Sequence, residues 1–243
     1  IGDWSSDVCS SDLFSLNFPM KKIIITGNKG IIGTVLTNGL SNDYEIIGLD
    51  LPETNMTDFD MVKAAIAGSD AIIHLAWDTT SERIGSGRMD PANSQMFFNV
   101  YRAALDLGDH RPRVIMASSV HADEFRNHET TELLSPHDLP IPNGPYGASK
   151  VHMEALGRYF ATQGLEVVCI RFGGVSPTND CWKGPKDELV YLHHEDCISL
   201  IKTILEAPAV SNNFAILYGI SDNAGRIHDI SNPFGWVPKH GLR

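Results

Sequence analysis

From Lys21 onward, short apolar runs alternate with segments of helical length, and this alternation limits the fold more than any other feature of the chain. Ile23-Ile24-Ile25 is apolar at every position, the pattern of a strand covered on both faces in a parallel sheet. A glycine turn follows, then a helical segment from about Ile31 to Leu40. The succession recurs: strand-like Tyr44 to Leu49, helical Phe59 to Ala67, strand-like Ala71 to Leu75, then a long helical stretch from Pro91 through Leu107. Arg113 to Ala117 reads as a fourth strand running into Ser118-Ser119, followed by a helix from Tyr146 to Phe160 and a strand from Glu166 to Ile170. A helix from Glu195 to Glu206 and a last strand, Phe214 to Tyr218, complete the body. Repeated βα units predict an α/β fold with a doubly wound parallel sheet of the Rossmann type.

Hydrophobic residues make up 42% of the 243-residue chain, enough for one full core. The expectation is a single domain over 20–243 with a small C-terminal substrate-binding portion. Its ligand loops are expected in 172–194 and 219–243, because ligands sit at the carboxyl ends of parallel strands. Pro136, Pro140, Pro142 and Pro145 mark another loop, leading up to Tyr146.

The net charge of −11 argues against nucleic acid as the main ligand, because phosphate-backbone binding needs a basic face. A small anion needs only one or two local cations. No apolar run of about 18 residues is present, so no membrane span is expected. Cys9, Cys169, Cys181 and Cys197 show no C-x-x-C spacing, which leaves structural zinc unsupported and a reduced, cytoplasmic setting as the expectation. His193-His194-Glu195-Asp196 reads as the acid-rich start of a helix rather than a metal site.

Residues 1–19 stand apart. They lack helix or strand periodicity, and no basic segment precedes an apolar core, so they are not a signal peptide. Trp4 to Leu13 resembles translated read-through of a sequencing adaptor; a disordered native extension is the alternative. Met20 is then the expected natural start.

Gly27-Asn28-Lys29-Gly30-Ile31-Ile32-Gly33 lies between the first strand and the first helix. Its glycines permit a tight turn, close approach to a phosphate and close helix–strand packing. The helix N-terminus behind them offers N–H donors and a positive dipole to a pyrophosphate. Three glycines alone are weak evidence. Between strand and helix, with Asp50 ending the next strand, they predict a dinucleotide site. Asp50 would accept hydrogen bonds from a ribose 2′-OH and repel a 2′-phosphate, favouring NAD over NADP; the plain alternative is a solvated strand-end acid.

Tyr146 and Lys150 stand at i and i+4 of a helix and share one face. A lysine cation beside a tyrosine favours the phenolate, so the phenol can act as a base closer to neutrality. Without context such a pair is usually two ordinary surface residues.

Together the glycine spacing, Asp50, His74-Leu75-Ala76, Asn99, Ser118-Ser119, Tyr146-x-x-x-Lys150 and Arg171 resemble the extended short-chain dehydrogenase/reductase (NAD-dependent epimerase/dehydratase) family, over nearly everything from Lys21. Within it the chain is most similar to hexuronate dehydrogenases and archaeal NAD-dependent glucose-6-phosphate dehydrogenases. The shared stretches are Ala117-Ser118-Ser119-x-His121, Leu156 to Tyr159, Val168 to Arg171 and, most specifically, Tyr218 to Asn223.

The resemblance implies that Tyr146 removes the proton from a substrate hydroxyl while hydride leaves to nicotinamide. Lys150 would lower the Tyr146 pKa and hold the nicotinamide ribose, and Ser119 would bond the reacting oxygen. Ser118 would hold backbone or substrate, or be a plain strand-end serine. Asn55 and Met56 occupy the place that reads the adenine. Asn99 would order a water or backbone group near Lys150. Leu75, Ala76 and Trp77 follow the third strand near the expected nicotinamide, with Trp77 as a packing wall and Thr79 in reach of substrate. His121 and Gly174 would line the sugar. Val120 stands where the hexuronate enzymes commonly have Asn, and Lys183 where they hold the substrate carboxylate with Arg; Lys binds the same anion without the bidentate fork.

The leading expectation is therefore an NAD-dependent oxidation of a small anionic sugar at its anomeric carbon, giving a lactone. The alternatives are a nucleotide-sugar epimerase or dehydratase with retained NAD, against which the short stretch after Arg171 counts, and a non-catalytic NAD sensor. The resemblance further implies a homodimer pairing through the helix beginning near Asn93 and the helix of Tyr146. It also implies another helix beyond Arg243, so the coding sequence is expected to be cut short there.

Overall fold

The computed structural model describes residues 20–129 and 131–243; the expectation for 1–19 lies outside the described residues. The elements are β1 (Lys22–Thr26), α1 (Ile31–Leu40), β2 (Glu45–Leu49), α2 (Phe59–Ile66), β3 (Ala71–His74), α3 (Pro91–Leu105), β4 (Arg113–Ser119), α4 (Pro145–Thr162), β5 (Val167–Phe172), α5 (His194–Glu206) and β6 (Phe214–Gly219). The six strands form one sheet in the order β2-β1-β3-β4-β5-β6, parallel at every pairing. No described helix is long and apolar enough to cross a membrane.

The uninterrupted apolar strands follow from this layering. Ile23 and Ile25 pack with Leu36 of α1 and Leu200 of α5, while Ile24 packs on the opposite face with Val62, Phe97 and Met153 of α2, α3 and α4. Side chains alternate across a strand, so a strand between two helical layers needs apolar residues at every position. All three isoleucines are fully buried, each contributing about 1.5–3 kcal/mol through apolar burial.

The helices begin where the sequence supplies caps. The Asp58 carboxylate accepts from the Met61 amide at the start of α2, and Asp90, followed by Pro91, accepts from Ala92 at the start of α3. Pro145 opens α4, and Gly164, at φ +86°, follows its end in the left-handed conformation. β5 runs through Arg171 and Phe172, further than the apolar pattern indicated, because Arg171 is buried as an ion pair.

β1 lies centrally. The chain leaves it for β2 on one side and crosses to β3 on the other, opening a crevice at the carboxyl ends of β1 and β3. The segment 219–243 does not line this crevice, which corrects the expectation of a second substrate loop. It straps α5 instead: buried Asp196 accepts from Ser221 Oγ at 2.6 Å, Lys239 N at 2.8 Å and His240 N at 3.1 Å. These donors satisfy a charge that would be costly to bury alone, and they consume the polar groups a substrate loop would present.

Candidate active site

A cleft of about 940 Å³ runs along the carboxyl ends of the central strands. One end is built by the β1–α1 turn. Gly27, at φ +66°, lies so close to β3 that an added Cβ would sit 2.8 Å from the Ala76 backbone. A Cβ on Gly33 would sit 2.3 Å from the Gly27 carbonyl oxygen. The turn is thus folded tightly against both neighbours, and only glycine fits at those two positions. α1 begins at Ile31 with no side-chain cap and no acid in its first turn. Its first amides remain available to an anion at the positive end of the helix dipole. Gly27, Gly30, Ile31, Ile32, Gly33, Asp50, Asn55, Met56, Leu75, Ala76 and Trp77 all line the cleft.

Tyr146, Ser119 and Lys150 meet further along. Gly147 is the reason α4 comes so close: an added Cβ would lie 1.9 Å from the His121 carbonyl oxygen, in the short 3-10 turn after β4. That approach puts Tyr146 in hydrogen-bond contact with Ser119, whose Oγ also accepts from the His121 amide at 3.2 Å. Lys150 is buried, donates to the Ala117 carbonyl at 2.9 Å and lies 3.4 Å from the centroid of the Trp77 ring.

Burial drives the two groups in opposite directions. It pushes the Tyr146 phenol up to about 12, against the Ser119 hydrogen bond, and the Glu82 charge adds to the rise. It pushes the Lys150 ammonium down to about 7, with the carboxylates of Glu82 and Glu154 pulling it back up. The Lys150 ammonium lies 5.4 Å from the phenol ring centroid, so its charge works against the desolvation of the phenol.

Thr79, Ser118, Val120, His121 and Gly174 line the other end of the cleft, with Phe125, Arg126, Trp182 and Asp187. His121 Nδ1 pairs with Asn143 Oδ1 at 3.0 Å, and burial lowers its pKa, so the neutral ring donates to that oxygen and leaves Nε2 as an acceptor.

The sequence matches the NAD dependent epimerase/dehydratase family over residues 23–179. The chain belongs to that family. It is 30% identical over 240 residues to a uronate dehydrogenase of Agrobacterium fabrum, covering 90% of this chain and 85% of the relative. It is 28% identical over 240 residues to the NAD-dependent glucose-6-phosphate dehydrogenase of Haloferax volcanii, covering 86% and 88%. The crystal structure of uronate dehydrogenase from Agrobacterium tumefaciens superposes with a TM-score of 0.79 at 28% identity, over 91% of this chain and 85% of that one. The chain is accordingly an oxidoreductase with NAD as cofactor, similar to enzymes that oxidise sugars, and the tight glycine turn with its uncapped helix fits that cofactor.

Several residues singled out in this epimerase/dehydratase chain stand elsewhere than expected. Asn28 and Lys29 do not line the cleft. Asn28 packs under Gly48, and Lys29 pairs with Glu53 at 2.9 Å across the turn. Buried Asn99 donates to the Met56 carbonyl at 3.0 Å, so it secures the wall beside the expected adenine rather than a group near Lys150. Ser118 lines the cleft, but its hydroxyl is committed to Glu154. Lys183 is exposed and lies outside the cleft. His193, Glu195 and His240 bring ligand atoms within 4.8 Å of one another, yet the two rings stack at 3.9 Å and 11°, so their in-plane lone pairs do not converge on one ion.

Three charged groups escaped the sequence reading. Glu154 sits at i+4 from Lys150, a spacing that placed it on the catalytic face. It bonds Arg171 in a fork at 2.9 and 2.8 Å, and Arg171 also pairs with Asp123, which bonds Tyr218. Glu82 is fully buried; its Oε2 accepts from Asp90 N at 2.8 Å and Asn93 Nδ2 at 3.1 Å, while Oε1 has no protein partner. Glu82 and Arg126 stand in loop sequence with no periodic signal.

Proposed function

We propose that this protein oxidises a small anionic sugar, a hexuronate or sugar phosphate, at its anomeric carbon to the lactone. The observation that carries the reading is the contact of the Ser119 and Tyr146 hydroxyls beside a buried Lys150, at the junction between the glycine turn and the substrate loops. NAD, when bound, accepts the hydride from C1. Ser119 and Tyr146 hold the C1 hydroxyl, Tyr146 takes its proton, and Lys150 supplies the positive charge that favours the phenolate. Trp77 closes the wall behind them: its ring meets Phe97 in a stack at 6.3 Å and Tyr146 edge-on at 6.0 Å.

A nucleotide-sugar epimerase would need a lobe to hold the nucleotide. Within 219–243, Ser221, Lys239 and His240 are spent on Asp196 of α5 and Ile227 to Ile230 on packing behind Phe125, which supports the dehydrogenase reading over that one. Incubation of the purified protein with NAD and a panel of hexuronates and sugar phosphates tests it. NADH should form with at least one; NAD binding without NADH from any of them overturns the reading.

The same proposal places the protein in the cytoplasm as a homodimer. Cys169, Cys181 and Cys197 are free thiols, in keeping with a reducing compartment. Exposed Phe98 on α3 and Tyr159 on α4, both in edge contact with Phe160, support pairing through these two helices.

A further inference from the structure

We propose that Arg126, rather than Lys183, is the residue that holds the charged group of the sugar and sets the preference for an anionic substrate. The inference rests on the sugar-oxidising reading above and assigns its specificity.

Among the described residues lining the cleft, the only lysine or arginine side chains are Lys150 and Arg126. Lys150 is engaged with the Ala117 carbonyl and the Trp77 face, next to the reacting hydroxyls. Arg126 stands at the other end of an aromatic row. The Tyr146 ring meets His121 at 6.0 Å, His121 meets Phe125 at 5.4 Å, and the Arg126 guanidinium lies 5.0 Å from the Phe125 centroid. Arg126 therefore stands beyond His121 and Phe125 from Tyr146 in the wall of the same cleft, where the charged group of a bound substrate can meet it.

The guanidinium is held but not used up. It donates to the Pro185 carbonyl and, at a long 3.3 Å, to Asp187 Oδ1, and its side chain keeps 33% of its surface exposed. Asp187 is itself anchored by the Gly184 amide at 2.8 Å. The pair ties the loop after β4 to the loop after β5, and Asp187 acts as a resident counter-ion. Asp78 and Asp187 also line the cleft, so Arg126 offsets negative charge that would otherwise oppose an anionic sugar. Planar, always charged and multiply donating, Arg suits a carboxylate better than the exposed lysine does.

The test compares kcat/KM for glucuronate and for glucose, with NAD, in the wild type and in Arg126→Gln, Arg126→Lys, Asp187→Asn and Lys183→Gln. Arg126→Gln should lower the glucuronate-to-glucose ratio by about 10- to 100-fold, through KM for glucuronate. Arg126→Lys should restore part of the ratio, and Asp187→Asn should raise it above wild type. Lys183→Gln should leave it within about twofold. Calorimetric titration of glucuronate into the protein with NADH bound gives a readout free of turnover, and its signal should vanish in Arg126→Gln. An unchanged ratio in Arg126→Gln, or a collapsed ratio in Lys183→Gln, overturns the assignment while the sugar-oxidising reading stands. A wild type that turns over glucose but no anionic sugar also overturns it. A wild type that reduces NAD with no sugar at all overturns the parent reading instead.

Discussion

The two ends of the cleft are built from different materials. At the cofactor end the contacts come from backbone: two glycines that admit no Cβ, and the uncapped amides of α1. At the sugar end they come from side chains on separate loops, with Arg126 and Asp187 sixty-one residues apart in sequence. A backbone site depends on where a side chain is missing, so its spacing is short-range and fixed. A side-chain site depends on which loops meet, so equivalent contacts can be supplied from different positions. The same contrast separates a cofactor common to a family from a substrate that varies within it.

The sharpest way to break the comparison is at the junction between the ends. Tyr146→Phe should cut NADH formation by about 10²- to 10⁴-fold, measured in steady state, while NAD binding by fluorescence titration persists. Loss of NAD binding instead would mean that the two ends are one unit. Beneath the sugar end, Arg171→Met should cost about 3–5 kcal/mol in urea unfolding, because it leaves Glu154 and Asp123 buried without their cation. A loss under about 1 kcal/mol would show that the Arg171 pairing does not hold this region together.

At the cofactor end Gly33→Ala should cost about 1–3 kcal/mol of stability or NAD affinity, since its methyl meets the Gly27 carbonyl. Unchanged NAD affinity and unfolding midpoint would remove the backbone argument. Asp50→Asn should narrow the NAD-to-NADP preference by about tenfold in kcat/KM, as repulsion of a 2′-phosphate is removed.

A separate test reads pH dependence. Lys150 is depressed from 10.5 to about 7 by burial, so between those values the unfolded chain holds a proton that the folded one has released. Stability from this group therefore rises with pH across that window, and the group is destabilising below it. Lys150→Met should flatten the rise between pH 7 and 9 relative to wild type in denaturant melts. Parallel curves would show that Lys150 stays protonated throughout, and that Glu82 and Glu154 offset its burial.

Glu154 and Glu82 show where sequence reading succeeds and where it stops. Glu154 was within reach, one helical turn past Lys150 on the same face, and its partner Arg171 was already part of the family pattern. Glu82 was not. It lies in the loop between β3 and α3, and only the packing of Asp90 and Asn93 around it makes it a buried charge beside Lys150. Lys183 is the converse: the resemblance marks it for the substrate's charge, but the 172–190 loop puts Trp182 into the cleft and leaves Lys183 outside. Asn28 and Lys29 belong to the glycine motif by position and to the β2 side of the turn by contact.

The sequence by itself determined the parallel α/β sheet and the glycine turn between its first strand and helix, because both rest on short-range periodicity and glycine spacing that local geometry dictates. The roles of Asp50, Ser119, Tyr146 and Lys150 draw on the family resemblance as well, since these residues lie far apart along the chain. Only the tertiary structure decided that burial drives Tyr146 and Lys150 in opposite directions, that Ser221, Lys239 and His240 converge on Asp196 of α5, and that Arg126 lines the cleft while Lys183 does not. Those outcomes depend on desolvation and on charges brought together from distant loops, and neither is encoded in the order of residues along a single segment.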